Sequence, residues 1–218
     1  MTDPLVIRDI EFMGGQASPT GWSPEARTLP EVAFSGRSNV GKSSLLNALV
    51  KRRALARVSE TPGKTREINF FRINHEFVLA DLPGYGFARV AKTTRETWRP
   101  LIEGYLRHSM QLRGVVQLID SRHEPSDDDR TMLDFLAELG APTVVVLTKI
   151  DKLRTAERAR RVTELTNVLG MEDEQVIPFS TVAKIGRDEL AEAVVALVSQ
   201  PSWRAAVPPP GVTRGRSM

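Results

Sequence analysis

Cysteine is absent from this chain of 218 residues, and aromatic residues make up only 6% of it. Without cysteine there is no disulfide framework, no thiolate nucleophile and no cysteine-bound zinc or iron–sulfur centre. No apolar run reaches the ~18 residues that would suggest a membrane span. Charged residues interrupt the N-terminal stretch 5–13, so it does not resemble a signal peptide. We therefore expect a cytoplasmic protein that does not bind membranes.

The net charge of the chain is also small. The chain has 30 Lys and Arg residues against 27 Asp and Glu residues, a formal charge of +3. Residues 201–218 contain three arginines and no acid, so the rest of the chain is neutral. Hydrophobic residues make up 41% of the sequence, which is enough for a core. At ~150 residues per domain, we predict one domain at 31–200, after an N-terminal extension (1–30) and before a disordered basic tail (201–218).

Strand-like and helix-like segments alternate along the predicted domain. The strands are predicted at 32–35, 67–73, 77–80, 115–119, 143–147 and 176–179, and the helices at 44–50, 98–110, 127–139, 156–169 and 187–199. Such alternation requires right-handed crossovers and gives a parallel sheet covered on both faces. We therefore expect an α/β three-layer sandwich with a mostly parallel six-stranded sheet, in which one strand of a hairpin runs antiparallel.

A glycine-rich turn follows the first predicted strand and precedes the first helix. It reads GRSNVGKS and matches the GxxxxGK[ST] pattern of a phosphate-binding P-loop. Glycines let backbone amides curl around phosphate oxygens, and the helix N-terminus adds partial positive charge. Lys42 is expected to reach the β and γ phosphates, and the Ser43 hydroxyl to bind Mg2+. The residues assigned to this loop are Gly36, Arg37, Ser38, Asn39, Val40, Gly41, Lys42, Ser43 and Ser44.

The tetrapeptide Asp81-Leu82-Pro83-Gly84 follows the second hairpin strand and has the form DxxG. An Asp at this place can hold Mg2+ through water, and the Gly84 amide can contact a γ-phosphate, which makes the loop sensitive to that phosphate. The tetrapeptide alone is weak evidence, because Asp before a Pro-Gly turn is also ordinary turn chemistry.

The tetrapeptide Thr148-Lys149-Ile150-Asp151 follows an apolar strand and matches [NT]KxD. The Asp151 carboxylate can accept hydrogen bonds from N1 and the exocyclic amino group of guanine, a donor pair that adenine lacks. Lys149 would pack its aliphatic stem on the edge of the nucleotide. The motifs together predict a small GTPase-like P-loop NTPase. A P-loop nucleoside or nucleotide kinase is the alternative enzyme, but it has no role for this tetrapeptide.

Two weaker assignments complete the predicted site. Phe179-Ser180-Thr181 follows the last strand and matches a motif in which a backbone amide contacts the guanine oxygen. Between the P-loop and DxxG, a switch threonine should supply a second Mg2+ ligand. Thr65 is preferred to Thr61 because it lies closer to the following strand. The nucleotide-binding residues assigned here are Gly63, Lys64, Thr65, Arg66 and Glu67, and the catalytic residues of the whole site are Lys42, Thr65 and Gly84.

Taken together, GRSNVGKSSLLNAL, TPGKT, DLPGYG, TKID, FST and the segment RHEPSDDD resemble the EngB (YihA/YsxC) family of bacterial GTPases over residues 5–200. The resemblance implies a Mg2+-dependent GTP-binding protein that assists assembly of the large ribosomal subunit and is needed for normal cell division and septation. Its partner would be a precursor of that subunit, with rRNA and ribosomal proteins, and not DNA. We expect the protein itself to be a monomer.

The residue after DxxG is Tyr85, where many GTPases have a glutamine that orients the attacking water. We therefore expect slow intrinsic hydrolysis. Related GTPases bind K+ at the P-loop position of Asn39, so K+ could supply the missing charge; the ribosomal particle is the other source, and Asn39 could also serve only as a turn former. A GTP-dependent binding module, with incidental hydrolysis, stays open as the alternative function.

Charge is unevenly placed along the neutral body. Residues 42–66 carry seven basic side chains against one acid, residues 89–113 carry six against two, and residues 124–138 are acidic. Two loops, near 57–67 and 84–97, are predicted to switch with the nucleotide state. A basic face beside them suits RNA phosphates, although a solvated charged surface would look the same in the sequence. Trp98 and Trp203 could stack on bases or pack in the protein.

Overall fold

The computed structural model describes residues 3–18, 28–52, 67–86 and 92–206, with the backbone alone at 92–99, 205 and 206. The strands are β1 (Ile10–Gln16), β2 (Glu31–Gly36), β3 (Ile68–Ile73), β4 (Phe77–Asp81), β5 (Leu112–Asp120), β6 (Thr143–Thr148) and β7 (Val176–Pro178). The helices are α1 (Lys42–Leu49), α2 (Lys92–His108), α3 (Asp127–Glu138), α4 (Thr155–Leu169) and α5 (Arg187–Ser199), with 3-10 turns at Ile150–Lys152, Asp173–Gln175 and Trp203–Ala206. None of the described helices is long and apolar enough to cross a bilayer.

The strands form one sheet in the order β1-β3-β4-β2-β5-β6-β7. The β1–β3 and β3–β4 pairs are antiparallel, and the other pairs are parallel. Only β3 therefore runs against its neighbours, as predicted for the hairpin, whose turn is made by Asn74 and His75 with φ of 52° and 57°. The α/β class and the mostly parallel sheet are confirmed.

The predicted number of six strands is wrong, because the described residues form seven. The additional strand, β1, lies in the segment assigned to the N-terminal extension. Its hydrophobic pattern in the sequence is weak, because β1 is a mostly exposed edge strand that contains Gly14 and Gly15. The register shifts between Phe12 and Gly14, where Gly14 has φ of 109°, so the strand is also bulged.

Helices cover both faces of the sheet because successive strand residues point to opposite sides. Val32 and Phe34 of β2 join the core beneath α1 and α5, whereas Ala33 joins the core beneath α2 and α3. The apolar stripe predicted on the first helix, Leu45, Leu46 and Leu49, is fully buried. Burying each leucine contributes about 1.5–3 kcal/mol, so this stripe alone accounts for the docking of α1.

Helix α2 begins at Lys92, six residues before the predicted start at 98. Its first residues are polar and Pro100 lies inside it, so the apolar period is not visible until later in the sequence. The buried part, with Leu101, Ile102 and Tyr105, packs against the sheet together with α3.

The tail prediction is wrong for its first residues. The sequence left open whether Trp203 stacks on bases or packs in the protein. In the structure it packs against the core beneath α2 and α3. Arg204 donates a hydrogen bond to the carbonyl oxygen of Leu106, in the last turn of α2, where carbonyl groups lack helical partners. Its guanidinium carbon lies 4.8 Å from the centre of the Trp203 ring. A large apolar ring and a helix-end acceptor therefore order residues that composition alone predicts as disordered; residues 207–218 lie outside the described part.

The topology places the predicted motifs at one edge of the sheet. β2, β4, β5 and β6 are parallel, so their carboxyl ends lie together. The register pairs Phe34 with Asp81, Gly36 with Leu118, and Asp120 with Thr148. Ligands of open α/β sheets bind in the crevice at this edge.

Candidate nucleotide-binding site

The loop between β2 and α1 has the backbone shape that a phosphate-binding loop requires. Asn39 and Gly41 both take left-handed conformations, with φ of 63° and 109°. Gly41 is needed for its backbone conformation and not for space: a Cβ there would meet no atom within 4 Å, but residues with a side chain rarely adopt φ of 109°. Gly36 is needed for space, since its Cβ would lie 3.0 Å from side-chain carbons of Leu118 and Val40. A loop with left-handed residues at these positions turns its backbone amides toward a common point, where an anion can bind.

Two residues of the TKID tetrapeptide form hydrogen bonds to backbone carbonyls of this loop. The Thr148 hydroxyl donates to the Val40 carbonyl over 2.8 Å and to the Ile119 carbonyl over 3.2 Å, and Thr148 is buried. The Lys149 ammonium donates to the Asn39 carbonyl over 2.7 Å. The motifs at 36–43 and 148–151, more than a hundred residues apart in the sequence, are therefore in direct contact.

Lys42 and Asp81 face each other where a polyphosphate and its metal would bind. The Lys42 ammonium forms an ion pair with Asp81 Oδ1, and the two side chains are only 11% and 6% exposed. Ser43 follows on the first turn of α1; it is exposed and its hydroxyl has no hydrogen bond to the described residues.

The oxygen donors of Ser43 and Asp81 fit Mg2+, which prefers such ligands and keeps several waters and substrate phosphates in its shell. In the described residues no group of three or more His, Cys, Asp or Glu side chains could hold a metal unaided. A metal bound together with a nucleotide needs no such cage.

The DxxG loop lies directly against the P-loop. The Ser38 amide donates to the Tyr85 carbonyl over 2.8 Å, and the Tyr85 amide donates to the Gly36 carbonyl over 3.3 Å. A Cβ on Gly84 would lie 3.0 Å from Ser38 Oγ and 3.2 Å from Ser38 Cα. Only glycine fits this approach without displacing the P-loop backbone, so the sequence signal at Gly84 has a steric cause.

Tyr85 points away from the P-loop and into the protein. Its side chain is 1% exposed, and its hydroxyl donates to Asp129 Oδ1 over 2.8 Å and accepts a hydrogen bond from the Gln117 amide. Burial, reinforced by the neighbouring Asp129 carboxylate, raises the pKa of Tyr85 well above its usual value. The phenol is therefore a neutral structural group that ties the DxxG loop to α3.

The base-recognition motifs also meet. Asp151 Oδ1 accepts a hydrogen bond from the Ser180 hydroxyl over 2.7 Å, and this bond lowers the pKa of the Asp151 carboxyl. Ser180 is held in turn by the Ala183 amide, which donates to its Oγ over 2.9 Å. Asp151 is thus ionised and oriented, as an acceptor for two donors of one base must be. Phe179 is buried just before Ser180, and Thr181 is exposed.

Part of the predicted site lies outside the described residues, namely Thr61, Gly63, Lys64, Thr65 and Arg66. Glu67 is described; it is exposed, and its carboxylate lies beside Gly15 of β1. The assignments of these residues, including the switch threonine, stay predictions.

One charged residue of the site was missed by the sequence reasoning. Asp120 ends β5 and contacts Lys149. The signal that could have found it is the one that found Asp81, a carboxylate at the carboxyl end of a buried parallel strand.

Comparison with known proteins gives the class and then the family. The family described as "50S ribosome-binding GTPase" matches residues 31–149, and the GTP-binding domain of elongation factor Tu matches residues 102–200. The first match covers more than half of the chain, and it includes the P-loop, the DxxG tetrapeptide and the first two residues of TKID. With the motifs assembled on one sheet edge, it defines the protein as a P-loop GTPase.

The particular family follows from a close relative. A protein of Gemmatimonas aurantiaca described as "probable GTP-binding protein EngB" is 59% identical over 200 residues, which cover 92% of this chain and 98% of the relative. This chain therefore belongs to the EngB family of GTP-binding proteins.

Solved structures agree on the fold. A crystal structure described as a probable GTP-binding protein EngB has a TM-score of 0.65 and 24% identity, covering 78% of this chain and 98% of that one. The structure of Era in complex with MgGDPNP and nucleotides 1506–1542 of 16S ribosomal RNA has a TM-score of 0.61 and 23% identity, covering 78% of this chain and 56% of that one.

Proposed function

We propose that this GTPase uses Mg2+ and acts as a nucleotide switch in assembly of the large ribosomal subunit. The observation that carries the nucleotide assignment is the pairing of Asp151 with Ser180, which presents an ionised, oriented carboxylate next to a P-loop that is hydrogen-bonded to Thr148 and Lys149. The Gly84 amide would report the γ-phosphate to the loop that follows it, since Gly84 lies so close to Ser38 of the P-loop that an added Cβ would be 3.0 Å from Ser38 Oγ.

The description of the matching family, "50S ribosome-binding GTPase", supports the partner, a precursor of the large subunit. The Era structure supports the same mode of action, since that protein holds a GTP analogue and ribosomal RNA together. The basic segments of this chain lie at 42–66 and 89–113, next to the loops expected to switch. The family resemblance further supports a monomeric cytoplasmic protein needed for normal cell division and septation. In this proposal, the effect on division is indirect and follows from the supply of ribosomes.

Intrinsic hydrolysis should be slow because the Tyr85 side chain is buried and bonded to Asp129. A charge supplied to the transition state is worth ~10^3–10^5 in rate, or about 4–7 kcal/mol. Asn39 is exposed on the P-loop, where its side chain could bind K+ as such a charge. Single-turnover hydrolysis should then be faster in K+ than in Na+ buffer, and equal rates would leave the ribosomal particle as the source.

A second candidate function is a binding module for which GTP is a ligand and hydrolysis is incidental. The burial of Tyr85 favours it, since the position after DxxG holds no group that can orient water. Co-sedimentation with ribosomal subunits separates the two functions. A switch binds in a non-hydrolysable GTP analogue and releases in GDP, with hydrolysis stimulated by the subunit. A binding module shows no stimulation, and binding that ignores the nucleotide would overturn the switch.

A further inference from the structure

A carboxylate at the end of β5 connects the base side of the site to the P-loop. Asp120 accepts a hydrogen bond from the Lys149 ammonium over 2.8 Å, and the same ammonium donates to the Asn39 carbonyl over 2.7 Å. Asp120 stands opposite Thr148 in the β5–β6 register, so its side chain reaches Lys149 from the neighbouring strand end. Lys149 is therefore held between one acceptor on the P-loop and one on β5.

Arg122 fixes the Asp120 carboxylate in turn. Its guanidinium donates from Nε to Oδ1 over 2.9 Å and from a terminal nitrogen to Oδ2 over 2.8 Å, a two-point contact with defined geometry. The Arg122 amide adds a bond to Oδ1 over 3.1 Å. With the Lys149 bond, four hydrogen bonds converge on a side chain that is 18% exposed. Burial raises the pKa of Asp120, but the bonds from Arg122 and Lys149 outweigh it and hold the pKa well below its usual range.

Lys149 needs such support because its backbone is left-handed, with φ of 60°. Residues other than glycine keep this conformation when their surroundings determine it. The conformation directs the lysine side chain back over the P-loop, while the next residues turn into the 3-10 segment that carries Asp151. The contacts of the Lys149 ammonium thus influence both the P-loop and the base-recognition turn.

We propose that Asp120 is a positioning residue for guanine-nucleotide binding, holding Lys149 against the P-loop in the place where its stem packs on the base, with Arg122 orienting Asp120. The proposal rests on the nucleotide-binding role proposed for Lys149. We expect Asp120 to act on affinity, because its link to the P-loop runs through Lys149, which is assigned to the edge of the base, a part that GDP and GTP share. GDP and GTP should therefore depend on it equally.

The test compares Asp120→Ala, Asp120→Asn and Arg122→Ala with a matched control, Glu124→Gln. Glu124 lies on the same loop and pairs with Arg161 over 2.6 Å, and its side chain is 62% exposed. Dissociation constants and off-rates are measured by stopped flow with fluorescent GDP and a fluorescent non-hydrolysable GTP analogue. We expect Asp120→Ala to raise both dissociation constants about tenfold, through the off-rate, as for loss of a hydrogen bond to a charged group.

Asp120→Asn keeps one acceptor for Lys149 and should show a smaller loss, as should Arg122→Ala. In the control Glu124→Gln, the rate of hydrolysis at saturating GTP should not change. Values for Asp120→Ala that match those of Glu124→Gln would overturn the proposal. If Asp120→Ala does not fold, Asp120→Asn carries the test, and unchanged off-rates in that variant would overturn the proposal equally.

A double-mutant cycle with Lys149→Met separates positioning from general stabilisation. Methionine keeps an apolar stem but cannot bond to Asp120 or Asn39. If Asp120 acts through Lys149, the double variant binds GDP no more weakly than Lys149→Met alone; additive losses would overturn the proposal. Asp151→Asn, assayed in parallel, tests the proposed function itself. Should that variant keep its guanine preference, the nucleotide assignment fails; should it lose the preference while Asp120→Ala behaves as wild type, only the role of Asp120 fails.

Discussion

Lys42 on the first turn of α1 forms a nearly buried ion pair with Asp81 at the end of β4. Both residues are assigned to the polyphosphate site, one to phosphate oxygens and the other to the Mg2+ shell. Phosphate and carboxylate are therefore competing anions for one ammonium, and the metal is a competing cation for one carboxylate. Binding of Mg2+ and nucleotide together resolves both competitions, so each should strengthen the other.

Replacing Asp81 with Asn should remove this coupling. We expect Asp81→Asn to weaken GTP binding about tenfold or more in Mg2+, on the scale of a lost charged hydrogen bond. In EDTA the affinity should stay the same or rise, because Lys42 no longer has a competing partner. Calorimetry with and without Mg2+ measures both, with Glu76→Gln on the exposed hairpin turn as a control. Equal losses in the two buffers would contradict the assignment of Asp81 to the metal.

Asp151→Asn should change the preferred base. The carboxylate accepts from two donors of guanine, whereas an amide offers one acceptor and one donor, which suits xanthine with its additional carbonyl. We expect GTP affinity to fall by about 100-fold or more, since a buried donor pair loses its acceptor, and XTP to bind better than GTP. Ser180→Ala, which removes only the orienting bond, should give a smaller loss without a change of base. Competition binding with GTP, XTP and ATP measures these affinities; an Asp151→Asn variant that still prefers GTP would refute the assignment.

Gly84→Ala should weaken the binding of GTP but not that of GDP. The added Cβ would lie 3.0 Å from Ser38 Oγ and 3.2 Å from its Cα, so the DxxG loop and the P-loop must shift apart by a few tenths of an ångström. We expect weaker binding of a GTP analogue and slower hydrolysis, because the amide that meets the γ-phosphate is displaced. GDP affinity should stay close to that of the wild type and serves as the internal control. Parallel loss of GDP and GTP binding would mean that Gly84 supports only the shape of the P-loop.

Tyr85→Phe should cost stability and leave hydrolysis unchanged. The substitution keeps the ring but removes the hydroxyl between Asp129 and Gln117, and buried polar groups without partners cost about 1–3 kcal/mol. Tyr105→Phe is a matched control, because Tyr105 is another buried phenol bonded to a carboxylate, that of Glu31, and takes no part in the site. Urea unfolding and single-turnover hydrolysis measure the two effects. A large loss of hydrolysis in Tyr85→Phe, absent in Tyr105→Phe, would contradict the structural role.

The pKa of Tyr85 adds a pH dependence to this stability. Because burial raises it in the folded protein, the folded state favours the protonated phenol more than the unfolded state does. The contribution is complete below pH ~10, the usual tyrosine pKa, and is lost as pH rises above it. Tyr85→Phe should therefore unfold with a weaker dependence on pH above about 10 than the wild type.

The sequence could predict those parts of the molecule in which a local pattern carries the information. Gly36, Gly41 and Lys42 stand at fixed spacing because one short turn needs all three, and Leu45, Leu46 and Leu49 show the helix that follows. Asp151 and Ser180 could be assigned singly, but their hydrogen bond depends on the β6–β7 pairing and is visible only in three dimensions.

The misses have a common physical origin in long-range contacts. β1 is a strand because β3 offers it a partner, although its own glycines and polar residues favour an irregular segment. Trp203 is ordered by a core built from α2 and α3, both of which lie more than sixty residues earlier in the sequence. Asp120 gains its proposed role from Lys149 and Arg122; its place at the end of a buried strand makes it a candidate, but these two contacts are visible only in the fold.

The bond from Arg204 to the end of α2 has a practical consequence for anyone who trims this protein. A chain shortened at Gln200 would look complete by motif, since every nucleotide-binding residue precedes that point. It would nevertheless lose the Trp203 ring, which packs against the core beneath α2 and α3. It would also lose the Arg204 guanidinium, which donates to the Leu106 carbonyl in the last turn of α2. An affinity tag or a reporter is best attached beyond Ala206, and measurements on shorter versions describe a molecule in which the last turn of α2 has lost a hydrogen-bond partner.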